Sequence, residues 1–116
     1  MVMILWRTGF NIRKKGGNTM PTYITLYKLT DQGIKSIKDA PKRVEEAVKG
    51  LESMGGKLIG FYATMGEYDY VAIGEIPSDE LAMTFALALG SQGNVRTTSL
   101  KAFNKEKFKE IVKKLP

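Results

Sequence analysis

Apolar and polar positions divide the chain after Met20 into segments of two different periods. Thr22 to Leu29 alternates and is rich in β-branched and aromatic residues, which predicts a first strand. Thr30 to Lys38 is a connector with one helical turn at Ile34 to Ile37. Val44, Ala47, Val48, Leu51 and Met54 then recur at helical spacing, with Asp39 as N-cap and Pro41 in the first turn. Gly55-Gly56 stops that helix, because glycine accepts the left-handed conformation at a helix end. Lys57 to Thr64 and Tyr68 to Ile76 predict two strands joined by the turn Met65-Gly66-Glu67. Ser78 caps a second helix, whose stripe is Leu81, Ala82, Phe85, Ala88 and Leu89 and which Gly90 ends. Val95 to Phe103 predicts a fourth strand. Asn104 caps a terminal helix carrying Phe108, Ile111, Val112 and Leu115.

The predicted order is β-α-β-β-α-β plus a final helix, an α+β fold of the ferredoxin-like type. It implies a four-stranded antiparallel sheet with helices on one face, because both crossovers are right-handed. Side chains alternate along a strand, so each strand offers two sets. Ile24 and Leu26 oppose Tyr23, Thr25 and Tyr27. Ile59, Phe61 and Ala63 oppose Leu58, Gly60 and Tyr62. Val71 and Ile73 oppose Tyr68, Tyr70 and Ala72. Assigning the aliphatic and phenylalanine sets to the helix-covered side leaves all five tyrosines on the bare face. Tyrosine couples a large apolar ring to a hydroxyl that wants a partner, and such residues concentrate where a surface is buried against another molecule. Tyr23, Thr25, Tyr27, Leu58, Tyr62 and Tyr70 are therefore the expected ligand or interface residues. If Phe103 points to the core, Arg96, Thr98 and Leu100 join them.

The totals sharpen this reading. With 116 residues the chain is one domain by length. It has no cysteine and no histidine, which removes disulfides, thiolate chemistry, histidine-based triads and histidine-ligated metals. No metal and no cofactor is expected. No apolar run approaches the ~20 residues of a membrane span, so the expectation is a cytoplasmic protein. The net charge of +6 suggests nucleic acid, but its distribution does not. Arg7, Arg13, Lys14 and Lys15 lie before Met20, and from there 14 basic residues meet 12 acidic ones.

Residues 1–19 show no lasting periodicity. Their end, Lys14-Lys15-Gly16-Gly17-Asn18-Thr19, can be encoded by codons that contain a purine-rich ribosome-binding sequence at an initiation distance from Met20. We expect these residues to be either a mis-assigned start or a disordered basic leader, and take residues 20–116 as the domain.

Few polar residues stand out. Asp69 shares the parity of Val71 and Ile73 and needs hydrogen bonds or a cation. It is expected to bond to backbone N–H groups of the Gly66 turn; alternatively it is an acid or base at a pocket rim. Gly66 is expected to serve a positive-φ turn. Asn94 and Arg96 follow the loop Gly90 to Gly93, which fits no phosphate-binding pattern.

At Gly66-Glu67-Tyr68-Asp69 the chain resembles the GYD domain family, named for a Gly, Tyr and Asp at such a hairpin. Met20-Pro21-Thr22-Tyr23-Ile24, Leu29-Thr30-Asp31-Gln32-Gly33, Asp39-Ala40-Pro41-Lys42-Arg43 and the stretch from Ala86 to Thr97 extend the likeness over residues 20–116. The resemblance implies a fold related to the dimeric α/β barrels, in which two sheets pack face to face. It implies no settled activity. Related barrels include cofactor-independent oxygenases, isomerases, haem-degrading enzymes and ligand-sensing domains, but a chain without histidine departs from the histidine-using members.

Three functions follow as expectations. The first is a homo-oligomeric binding or interaction module with a small-molecule cavity between paired sheet faces, lined by Tyr23, Tyr27, Tyr62 and Tyr70. The alternative is a cofactor-independent oxygenase- or isomerase-like enzyme acting on an aromatic or polyketide-like substrate, with Asp69, Tyr68 and Arg96 as candidate catalytic groups. A third, weaker alternative is an RNA-binding module stacking bases on Tyr23 and Tyr70. It lacks the basic-Gly-aromatic opening of that motif, and nucleic acid is not the expected partner.

Overall fold

A computed structural model describes residues 20–116, so both readings of residues 1–19 lie outside the described residues. The elements are β1 (Thr22–Leu29), α1 (Asp31–Lys35), a 3-10 turn (Ile37–Asp39), α2 (Ala40–Ser53), β2 (Lys57–Ala63), β3 (Tyr70–Glu75), α3 (Asp79–Ser91), β4 (Val95–Ala102) and α4 (Lys105–Lys113). The strands form one antiparallel sheet in the order β2-β3-β1-β4, the ferredoxin-like arrangement expected from the element order.

Local chemistry explains most boundaries. Ser78 accepts a hydrogen bond from the Leu81 N–H at the start of α3, and Asn104 accepts one from Lys107 at the start of α4. Gly55 ends α2 with φ of 87°, and Gly66 carries φ of 105° in the β2–β3 turn, both in the left-handed region that favours glycine. Two expectations need correction. Asp39 precedes α2 but makes no side-chain cap, because the 3-10 turn runs straight into the helix and its backbone is already helical. Helix α3 runs past Gly90 to Ser91, and the left-handed glycine is Gly93, with φ of 87°.

The main correction concerns the two sheet faces. Helices α2 and α3 cover the face that bears Tyr23, Thr25, Tyr27, Leu58 and Tyr70, not the aliphatic one. Tyr23 packs with Leu51 and Ile76 in the centre of the fold, flanked by Leu58, Leu81, Ala82 and Phe85. The open face carries Ile24 and Leu26 on β1 beside Ile73 and Val71 on β3, with Leu100 on β4. Strand β2 shifts register between Leu58 and Gly60. The shift reverses its alternation, so Leu58 and Phe61 look toward the helices while Tyr62 lies on the open face, 61% exposed. A cavity lined by tyrosines between paired sheets therefore does not form, and an RNA platform of Tyr23 and Tyr70 is likewise turned inward.

The reversal has a physical reason. The helix layer presents small side chains to the sheet, among them Ala40, Ala47 and Ala82, over Ala72 and Gly74 on β3. That leaves depth for rings. The aliphatic set lies on a side no described helix covers. An alternating strand with two apolar faces does not declare which is inner, since sheets buried on both faces read as apolar throughout.

Candidate functional site

Between the tyrosine face and the helix layer is a cavity of about 100 Å³. Its floor is the sheet, where Tyr27 and Tyr70 pair with ring centroids 6.1 Å apart and Tyr70 meets Phe61 at 5.2 Å. Its roof is α2, through Val44, Ala47 and Val48, and α3, through Phe85 and Leu89. Five of the six residues expected to meet a ligand or interface thus line one hollow: Tyr23, Thr25, Tyr27, Leu58 and Tyr70. Tyr62 stands apart on the other face.

The cavity has a polar end at the close of β1 and the start of β4, marked by Arg43, Gln92 and Asn94. Arg43 sits one helical turn before Ala47, which aims it at the sheet from the start of α2. Its Nη1 donates to the Ser36 carbonyl and the Ser36 hydroxyl, both at 3.1 Å. No carboxylate of a described residue pairs with it. Sequence reasoning missed Arg43 because it looks like one more charge at the start of an amphipathic helix.

The same end is locked by short polar contacts. Thr30 caps α1 by accepting from the Gly33 N–H at 3.0 Å, and its hydroxyl donates to the Gly93 carbonyl at 2.6 Å. The Thr30 N–H donates to the Asn94 carbonyl at 3.0 Å. Gln32 donates to both the Gln92 carbonyl and the Asn94 side chain. The Asn94 side chain is therefore engaged within the fold.

At the far end of β1 the hydroxyl of Tyr23 donates to Asp79 in the first turn of α3. Lys101 reaches the same carboxylate at 3.0 Å. Burial, the bond to Asp79 and that negative charge together push the Tyr23 hydroxyl up to about 12. The Tyr23 bond and the Lys101 ammonium hold the Asp79 carboxyl below its usual range. Burial raises Tyr27 as well.

The candidate catalytic groups gather around the end of β1 in a different arrangement. Asp69 accepts from the Leu29 N–H at 2.8 Å, while its own N–H donates to the Tyr27 carbonyl. Its partner is thus β1 and not the Gly66 turn. The carboxylate takes up the strand N–H that loses its neighbour where β3 turns away. Tyr68 lies under the Lys28 ammonium, 5.5 Å from the ring centroid, and Lys28 also meets Glu67 at 3.7 Å. Arg96 is exposed and pairs in register with Lys28. Asp69 and Tyr68 therefore act together as a clasp that fastens the β2–β3 turn, bent at Gly66, to β1. Among the described residues no cluster of acidic side chains could hold a metal ion.

The residues of this clasp and of the Thr30–Asn94 lock fall inside the span, residues 23–112, that matches the GYD domain family. The chain belongs to the GYD domain family. A curated relative from Thermus thermophilus, named glutamine synthetase and cystathionine beta-lyase binding protein, is 36% identical over 84 residues, covering 72% of this chain and 88% of the relative. Two solved structures share the fold. The leucine response regulatory protein LrpA of Mycobacterium tuberculosis aligns with a TM-score of 0.51 at 19% identity, over 86% of this GYD chain and 63% of that one. A crystallised single-site mutant of another protein aligns with a TM-score of 0.58 at 20% identity, over 84% of this chain and 60% of that one. The GYD chain thus spans about three-fifths of either solved chain. None of its described helices is long and apolar enough to cross a membrane.

Proposed function

We propose that this GYD domain is a self-associating interaction module that docks on an enzyme of amino-acid metabolism. The observation that carries the reading is the open sheet face. Ile24, Leu26, Val71, Ile73 and Leu100 form a continuous aliphatic surface across three strands, and no described helix covers it. Contiguous apolar surface of this kind on a soluble domain marks an interaction site. Pairing two such faces about a twofold axis buries the same patch on both copies and closes the assembly.

Helix α4 supports the same reading. It is amphipathic, yet Phe108 is 60% exposed, Ile111 and Val112 lie open beside it, and Leu115 just past the helix is 68% exposed. A helix of nine residues with an uncovered apolar stripe is marginal in water without packing. In a dimer it packs at the margin of the paired sheets, two residues of linker after β4. The enzyme partner is our reading from the relative named glutamine synthetase and cystathionine beta-lyase binding protein, which supports an enzyme of that kind as the partner here.

Sedimentation of the full chain at micromolar concentration tests the association, with a dimer or larger closed assembly expected. A monomer at that concentration overturns it. Co-sedimentation with purified glutamine synthetase and cystathionine beta-lyase tests the docking, and failure to bind either enzyme removes that part of the reading.

A further inference from the structure

We infer that the cavity between the sheet and the α2–α3 layer binds a small carboxylic acid with an aromatic or branched apolar body. This site lies on the opposite side of the sheet from the proposed association face, so it stands or falls independently of it. Three observations converge. The first is the hollow itself, about 100 Å³ beneath Val48 and Phe85 and above Ala72. An apolar hollow of about 150 Å³ takes up one benzene molecule, so this hollow alone is too small for a ring. A single ring or a branched chain fits only together with the adjoining hollow of about 290 Å³. The space is also reachable. That second hollow lies between α2 and α3, and Arg43, Ala47, Phe85, Leu89 and Gln92 line both.

The second observation is Arg43. Neutral acceptors, the Ser36 carbonyl and hydroxyl, fix its guanidinium from one side. A weaker contact runs to the Gly33 carbonyl at 3.4 Å. The guanidinium has five N–H donors in a fixed fork. These contacts leave donors free and the charge uncompensated by any carboxylate of a described residue. An oriented, unpaired arginine at the mouth of an apolar hollow is a carboxylate receptor by its geometry. The third is Tyr27, whose hydroxyl is desolvated by burial and bonds to no described side chain. A half-buried hydroxyl without a protein partner is open to a ligand oxygen in the cavity. A walled apolar body with one cationic end selects an amphipathic acid over a neutral or cationic molecule.

Phenylacetate and phenylacetamide differ in charge and hardly in shape, which makes them the probes. Each is titrated into the full-length, isotope-labelled protein and followed by amide and side-chain NMR. Phenylacetate is expected to give saturable shifts at Tyr27, Tyr70, Ala47 and Phe85, with an affinity at least ~10-fold above that of the amide. Arg43→Gln should abolish that ratio, and Arg43→Lys should keep part of it. Ala72→Phe, which fills the floor, should remove binding of both. The acid-to-amide ratio on the unaltered protein is decisive by itself should a variant fail to fold. Equal affinities, shifts confined to the open face, or no saturable response at millimolar probe overturn the assignment.

Discussion

A methyl group added at Gly33 would stand 2.1 Å from the carbonyl oxygen of Asn94, which already accepts the Thr30 N–H. Backbone on both sides cannot yield as a flexible side chain would. Gly33→Ala is therefore expected to lower unfolding free energy by ~3 kcal/mol, at the upper end of overpacking effects, read by urea denaturation. Gly66 offers a contrast, with nothing within 4 Å of the added atom but φ of 105°. Its substitution by Ala should cost about 1 kcal/mol through backbone strain alone. The sequence marks both glycines and separates neither, since a close approach and a positive φ look the same in one letter.

Tyr23 and Asp79 give the residue-scale pH dependence. The Tyr23 hydroxyl is raised from 10.0 to about 12 in the fold, so its contribution is complete below 10 and disappears as pH rises from there through 12. Asp79 is lowered from 3.8, so its contribution is complete above that value and fades as pH falls below it. Stability should hence decline at both extremes. Tyrosinate absorbance of the native protein against Tyr23→Phe isolates the hydroxyl. In Asp79→Asn it should titrate lower than in the native chain but still above 10, because burial is the largest cause and remains.

Caps separate elements that belong to the protomer core from the one that does not. Ser78→Ala removes the cap of α3, which packs through Phe85 on the central cluster, and should lower global stability by about 1 kcal/mol. Asn104→Ala removes the equivalent cap of α4, every residue of which is exposed. Its loss should quicken amide exchange in residues 105–113 and leave the protomer's melting unchanged. The period of α2 is legible because it has one strong repeat, whereas α3, apolar on most sides with Met83 and Leu87 exposed, is legible by its Ser78 cap and its length. Thr30 as cap of α1 was hidden by the shortness of that helix. Strand faces were the illegible part. Gly60 inside β2 is the sign of a register shift; strict alternation places Tyr62 with the other tyrosines and Phe61 among the aliphatics. Ranking hydrophobicity then chose the wrong inner face, because Ile24 and Val71 are as apolar as any core pair.

For the molecule as a whole, the two unsatisfied surfaces, open sheet and α4, make the association reading separable into parts. Leu26 sits mid-strand on the open face, opposite Val71 on one side and Thr98 on the other. Leu26→Lys places an ammonium at the centre of any face-to-face pairing, where a buried unpaired charge is costly. It leaves the α2–α3 side of the sheet untouched. This variant should sediment as a monomer and still unfold cooperatively. Removing residues 105–116 deletes α4 without altering the sheet, and should weaken self-association at least ~100-fold, about 3 kcal/mol. If the truncated chain associates as tightly as the full one while Leu26→Lys does not associate, α4 is no part of the contact and the sheet reading survives. Undiminished association of Leu26→Lys would instead mean that the open face is not where copies meet.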